Sequence, residues 1–245
     1  GTTVLTMRHM DPFTENDLLL LDEFADKHHI IWWVQSKGPE TVKPLHEKDA
    51  GRLAYSLPQF GLRMAYKPTD FTQVNHQINQ ALIAKALNLL NVQPHDRVAD
   101  LFCGLGNFTL PLATRAKEVV GIEGSKILTD RALEAAKEHD LDNKTSFSTL
   151  NLFEVDVQWL RDLGHFDRML IDPPREGALE VARALAQLTP DERPKCIVYV
   201  SCNPATLARD AGILVENGAY KLISAGVINM FPHTAHVESI AVFES

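Results

Sequence analysis

Val98-Ala99-Asp100-Leu101-Phe102-Cys103-Gly104-Leu105-Gly106-Asn107-Phe108-Thr109 is an apolar, strand-like run that breaks into a turn with two glycines and leads on into a helix. Glycines at such a turn let the backbone approach a ligand closely, and an acid about 20 residues further on can accept from ribose hydroxyls. Glu123 stands there, at the end of Val119-Val120-Gly121-Ile122. The dinucleotide fingerprint asks for a third glycine, but Thr109 occupies its place, which argues against a nicotinamide cofactor.

Outward from that stretch, strand and helix patterns alternate. Ile78, Leu82, Ile83, Ala86, Leu87 and Leu90 fall at helical spacing over 77–90, behind Asn75 as a predicted N-cap. Strands are expected over 97–102, 118–122, 146–150, 166–171 and 196–200, and helices over 109–114, 126–139 and 178–187. Two closing strands are expected over 219–227 and 237–243. Alternation at this interval predicts an α/β fold, a mostly parallel sheet wrapped by helices. Ahead of it, a β-α-β pattern over 4–34 and two short strands around 54–57 and 62–66 mark residues 1–69 as an accessory α/β segment, with 70–245 as the main domain.

The main domain carries two more motifs. Val198-Tyr199-Val200-Ser201-Cys202-Asn203-Pro204 reads as a buried strand that stops at a loop, which sets the Cys202 thiol where open α/β sheets bind ligands. Further on, Glu238 lies near the start of a second apolar strand, so a nucleophile and a base can converge on one substrate. Asp172-Pro173-Pro174-Arg175 follows the apolar run 169–171 and belongs to the same sheet edge, its prolines fixing the loop and its carboxylate free to accept from a ligand.

Bulk properties narrow the classes. At 245 residues the chain can bury a full core. A formal net charge of -8 argues against nucleic-acid binding driven by overall charge, so RNA contact needs a local patch or a separate basic module. Cys103, Cys196 and Cys202 have no CxxC spacing and an odd count, which suits a reducing cytoplasm and implies neither a disulfide framework nor a cysteine-rich metal site. His233 and His236 are too few ligands for tetrahedral zinc, and no metal is expected. No apolar run spans a bilayer. A chain that opens on Gly1 and goes straight into a strand reads as a piece cut from something longer.

Taken together, Phe71-Thr72-Gln73-Val74-Asn75, the segments 100–110, 120–124 and 172–175, Ser201 to Asp210 (SCNPATLARD) and Met230 to Ser239 (MFPHTAHVES) resemble the RNA uracil-5-methyltransferase family over roughly residues 71–245. The last two segments favour its ribosomal branch, typified by RumA, over its transfer-RNA branch, typified by TrmA. The resemblance implies a class I, Rossmann-like methyltransferase domain over 70–245, with 1–69 as part of a central RNA-binding domain. It implies S-adenosylmethionine as cofactor, with Gln73, Phe102, Gly104, Asn107, Glu123, Asn151 and Asp172 around it. It also implies an RNA partner, ribosomal RNA first, and a monomer in the cytoplasm. The ribosomal branch has an N-terminal RNA-binding barrel, the TRAM domain, and four cysteines holding an iron-sulfur cluster; neither can be found in this sequence, and no cluster is expected here.

Uracil C5 is a weak nucleophile, and adding a thiolate at C6 gives it carbanion character. By resemblance Cys202 supplies that thiolate and Glu238 removes the C5 proton, from a base that has left its stack. Rival readings are weaker. A cytosine-5-methyltransferase resembles Pro-Cys where this chain has Pro173-Pro174, an exocyclic-amine methyltransferase needs neither Cys202 nor Glu238, and a non-catalytic binding module has no use for both. Cys103 and Cys196 read as packing residues. Arg175 and Arg209 can pair with phosphate or with local carboxylates, and of Trp32 and Trp33 one is expected in a core, with the other open to base stacking.

Overall fold

The computed structural model describes residues 2–216 and 219–245, divided into two compact units, Gly1–Gln73 and Val74–Ser245. The division falls beyond the expected residue 69, immediately ahead of Asn75, whose side chain starts the first helix of the second unit by accepting the Ile78 N–H at 3.2 Å.

In the first unit, β1 (Thr3–Arg8) and β2 (Ile30–Gln35) run parallel, joined by α1 (Glu15–His28), and β3 (Lys43–Pro44) pairs antiparallel with β2. Helix α1 begins where Thr14 Oγ1 accepts the Asp17 N–H at 3.2 Å and Asp17 Oδ2 accepts the Thr14 N–H at 2.9 Å, a reciprocal cap. It ends as His29 turns left-handed at φ 53°. Ile31, Trp33 and Val42 form a small core. Trp32 instead lies against α1, its Nε1–H donating to Leu21 O at 3.0 Å and its ring 5.8 Å from Phe24. A hairpin, β4 (Ala54–Leu57) and β5 (Leu62–Ala65), completes the unit.

The second unit opens with α2 (His76–Leu90) and then alternates: β6 (Arg97–Leu101), α3 (Thr109–Ala113), β7 (Glu118–Glu123), α4 (Lys126–Glu138), β8 (Thr145–Thr149), α5 (Val157–Asp162), β9 (Arg168–Ile171), α6 (Leu179–Ala186), β10 (Cys196–Ser201), α7 (Pro204–Glu216), β11 (Lys221–Ile228) and β12 (Glu238–Glu244). The seven strands form one sheet in the order β11-β12-β10-β9-β6-β7-β8, in which β12 alone runs against the rest. Strands covered on both faces read as unbroken apolar runs, and every residue of β10 is buried. Of the predicted α2 stripe, Leu82, Ile83, Ala86, Leu87 and Leu90 are wholly inaccessible, and Ile78, in the first turn, is only partly buried; each fully buried Leu or Ile there stabilises the fold by roughly 1.5–3 kcal/mol.

Two helices escape the sequence reading. Asn203-Pro204, expected to open a loop, starts α7 instead: proline's fixed φ suits the first helical position, and Asn203 Oδ1 accepts the Ala205 N–H at 3.1 Å. Helix α5 is short and depends on Asp156, whose Oδ1 accepts the Trp159 N–H at 2.9 Å. Among the described residues no helix is long and apolar enough to cross a membrane.

Chain order reverses beside β6, which has β7 on one side and β9 on the other. The carboxyl ends of strands flanking such a reversal leave a crevice that no connection covers.

Candidate active site

The crevice is lined first by the turn after β6. Phe102 takes φ 64°, a left-handed conformation that a bulky residue adopts only where its surroundings hold it. Cys103 N–H donates to Ile122 O at 3.1 Å, and Gly106 N–H returns to Cys103 O at 2.8 Å. Gly104, at φ +54°, has no heavy atom within 4 Å of where a Cβ would stand, so the turn offers bare backbone to a ligand. Thr109, which replaces the third glycine, donates its hydroxyl to Asp100 Oδ2 at 2.5 Å and ties the end of β6 to the start of α3. Burial pushes the Asp100 carboxyl up to about 7.

Glu123 closes the floor. Its Oε2 accepts the Gly104 N–H at 3.2 Å and its Oε1 the Ser125 N–H at 3.0 Å, which leaves a lone pair on each oxygen for a pair of hydroxyls. The Phe102 ring meets Phe153 at 5.6 Å. Asn151 Oδ1 accepts the Phe153 N–H at 3.1 Å and so shapes the loop that carries that ring. The Asn107 amide pairs both ways with Asn79, at 3.0 and 3.1 Å. Asn79 is a buried polar residue on α2 that the helical pattern concealed. Phe102, Gly104 and Glu123 thus share one cradle, whereas the Asn107 and Asn151 side chains bond within the protein, to Asn79 and to the Phe153 N–H. Gln73 is the last residue of the first unit.

On the other side of β6, Asp172 N–H donates to Leu101 O at 3.2 Å, fastening the Asp-Pro-Pro loop to the glycine turn. Cys202 follows β10, and Glu238 opens β12. Because Ser201 pairs with Ser239 in antiparallel register, the residue after one and the residue before the other emerge at the same edge. Their electrostatics agree. Burial raises the Cys202 thiol, and the Glu238 and Asp172 carboxylates raise it further against the pull of a backbone hydrogen bond and of Arg175. Burial lifts Glu238 to about 7. Asp172 is raised well above the usual carboxylate range by burial, then by Glu238 and Asp100. A thiol beside these two raised carboxyls can act as nucleophile next to a base, Glu238, that changes charge near neutrality. The other two cysteines are buried, with thiols raised by that burial, Cys196 to about 11.

Arg209 resolves in favour of a local carboxylate, pairing with Asp210 at 2.8 Å. Arg175 reaches His236, its NH2 lying 3.1 Å from Nδ1, and Phe231 stands edge-on to the same imidazole at 5.8 Å. Between this loop and the start of α2 lies an open cleft of about 500 Å³ lined by Val74, Asn75, His76, Gln77, Met230 and Phe231.

Comparison with known proteins accords with this arrangement. A protein of Bordetella avium named 23S rRNA (uracil(1939)-C(5))-methyltransferase RlmD is 68% identical over 245 residues, 100% of this chain and 52% of its own length. The protein of the same name from Ralstonia pickettii is 59% identical over 99% of this chain and 55% of itself. The chain therefore spans about half the length of the curated relatives it matches. The crystal structure of Pyrococcus abyssi tRNA (uracil-54, C5)-methyltransferase in complex with S-adenosyl-L-homocysteine superimposes with a TM-score of 0.69 at 28% identity, over 87% of this chain and 50% of that one. The profile of the family described as tRNA (Uracil-5-)-methyltransferase matches residues 49–245, and the chain belongs to that family.

Proposed function

We propose that this chain carries the catalytic part of an S-adenosylmethionine-dependent RNA uracil-5-methyltransferase whose substrate is 23S ribosomal RNA. The observation that carries the reading is the convergence of Cys202 and Glu238 at the sheet edge that also holds the Glu123 cradle. The names of the relatives from Bordetella and Ralstonia support ribosomal RNA as the partner.

The cradle fits the cofactor. Glu123 would accept from the ribose hydroxyls, Gly104 gives close backbone approach, Phe102 and Phe153 offer ring faces to an adenine, and Asp172 would accept from the amino-acid end. Gln73, Asn107 and Asn151 are proposed contacts by family resemblance. Bound S-adenosylmethionine supplies an electrophilic methyl group. Cys202 adds to uracil C6, forming an S–C bond and an enolate with its charge at C5. C5 then takes the methyl, Glu238 removes the C5 proton, and the pair of electrons from that C–H bond restores the C5=C6 double bond as Cys202 leaves as a thiolate. We assign residues 1–69 to the RNA-binding part of the protein and expect a cytoplasmic monomer.

Incubating the chain with cofactor and ribosomal RNA fragments containing 5-fluorouridine tests this, since a C5 fluorine cannot leave as a proton. A covalent, Cys202-dependent adduct on a denaturing gel is expected. No adduct from protein that binds both cofactor and RNA would sink the mechanism.

A further inference from the structure

Asp210 is a fully buried carboxylate to which the chemistry above gives no part. It accepts the Ala178 N–H at 2.7 Å and the Tyr199 hydroxyl at 2.7 Å on Oδ2, and the Arg209 Nε–H at 2.8 Å on Oδ1. Tyr199 lies on β10, just ahead of Cys202, and Ala178 ends the loop that begins at Asp172. Helix α7, which carries Asp210, and the Asn203 that precedes it hold that loop at two further points: Asn203 Nδ2 and Thr206 Oγ1 donate to Arg175 O at 3.0 and 3.3 Å, and Arg209 Nη2 donates to Glu176 O at 2.9 Å. Between them sits Gly177 at φ +77°, where a Cβ would stand 2.7 Å from both Asp210 Oδ2 and Arg209 Nη2. No side chain fits there without opening the clamp.

We infer that Asp210 is a positioning residue: through Tyr199, Ala178 and Arg209 it makes the Asp172 loop and the Cys202 strand end one rigid body, setting the distance between the cofactor side and the nucleophile side of the site. The geometry favours this over a purely structural role because Ala178 and Tyr199 belong to the two segments that carry candidate site residues, and the third partner, Arg209 on α7, itself donates to Glu176 O in the first of them. A buried carboxylate holds its neighbours in one arrangement, whereas an apolar replacement of the same size takes the acceptor from the Tyr199 hydroxyl and the Arg209 Nε–H and leaves Ala178 N–H only its 3.0 Å bond to Tyr199, so the loop is free to shift. Displacing reacting groups by about 1 Å can cost on the order of 10²-fold in rate. The inference rests on the reading of Cys202 as nucleophile and of Asp172 as a cofactor contact.

The test compares Asp210→Leu, Asp210→Asn and Tyr199→Phe in the 245-residue chain. Three quantities are read on protein shown to be folded by circular dichroism: the rate of adduct formation with 5-fluorouridine RNA, the dissociation constant for S-adenosylmethionine, and the rate of Cys202 alkylation by iodoacetamide. Asp210→Leu is expected to slow adduct formation about 10²-fold and to change the alkylation rate. Asp210→Asn, which keeps an acceptor for Ala178 and Tyr199, should recover most of the rate, and Tyr199→Phe should fall between. A folded Asp210→Leu protein with wild-type adduct rate, affinity and alkylation overturns the inference. Should the parent chain bind cofactor and RNA yet form no adduct, the proposed chemistry has failed while the clamp is still decided by affinity and alkylation, which need no RNA. If Asp210→Leu does not fold, Tyr199→Phe decides: the clamp requires altered alkylation there, and an unchanged rate refutes it.

Discussion

Ser201 on β10 lies directly across from Ser239 on β12, in the one antiparallel strand inserted between parallel ones. That pairing brings the next residue, Cys202, and the preceding one, Glu238, to the same end of the sheet although 36 positions of chain separate them. Had β12 run parallel, Glu238 would open at the far edge, away from the glycine turn and the Asp172 loop.

Cys202→Ala is expected to abolish both turnover and the fluorouridine adduct while the dissociation constant for S-adenosylmethionine stays within about threefold, since the Glu123 cradle is built without the thiol. Isothermal titration with cofactor beside a gel assay for adduct measures the two separately. Undiminished transfer by the alanine variant would remove Cys202 from the mechanism.

Removing the base should stall the cycle after addition. Glu238→Gln is expected to lower turnover by 10²–10⁴-fold and to accumulate an adduct with ordinary uridine RNA. With Glu238 near 7, turnover of the parent chain should rise with pH through about that value, because the base form appears above it. A flat profile from pH 6 to 8 would show that another group takes the proton.

The same burial has a consequence for stability. Glu238 and Asp100 both have folded-state values near 7, above their ordinary 4.5 and 3.8. A raised carboxyl holds its proton more tightly in the folded chain, so its contribution is complete below the unfolded value and is lost as pH rises through the folded one. The chain should therefore weaken between about pH 4 and 8, by on the order of 3 kcal/mol for such a group. Denaturant melts at pH 5 and 8 check this, and Asp100→Asn should flatten the dependence.

Glu123→Ala should weaken cofactor binding roughly 10–100-fold, from loss of charged hydrogen bonds worth about 1.5–3 kcal/mol, and leave the Gly104 and Ser125 N–H groups without their acceptor. Glu123→Gln should fall between. An unchanged dissociation constant would exclude this carboxylate from the cofactor site.

The Asn79–Asn107 pair offers a test of how α2 is joined to the glycine turn. Its two amide bonds couple α2 to the glycine turn, so Asn79→Ala should destabilise the chain by about 1–3 kcal/mol. A double-mutant cycle with Asn107→Ala should show coupling of at least 0.5 kcal/mol; additivity would mean that the amides act independently.

Much of this protein can be read from local pattern. Apolar runs and helical spacing mark most of its elements because burial on one stripe or both faces imposes a period on composition, and the stretch 98–109 with Glu123 announces a ligand turn because only certain residues tolerate its backbone. Cys202, Asp172 and Glu238 could each be suspected from type and position at a strand end. Helix α7 could have been found as well, from Asn203 before Pro204 and the spacing of Leu207, Ala211 and Leu214. The amino-acid order alone thus determined most of the strands, and it singled out the turn and the side chains proposed for ligand and chemistry. Tertiary structure alone decided that β12 enters the sheet reversed beside β10, that Asn79 faces Asn107 and that Asp210 gathers Ala178, Tyr199 and Arg209. Those relationships depend on the register and packing of segments far apart in the chain, and nothing in the local period of either partner encodes them.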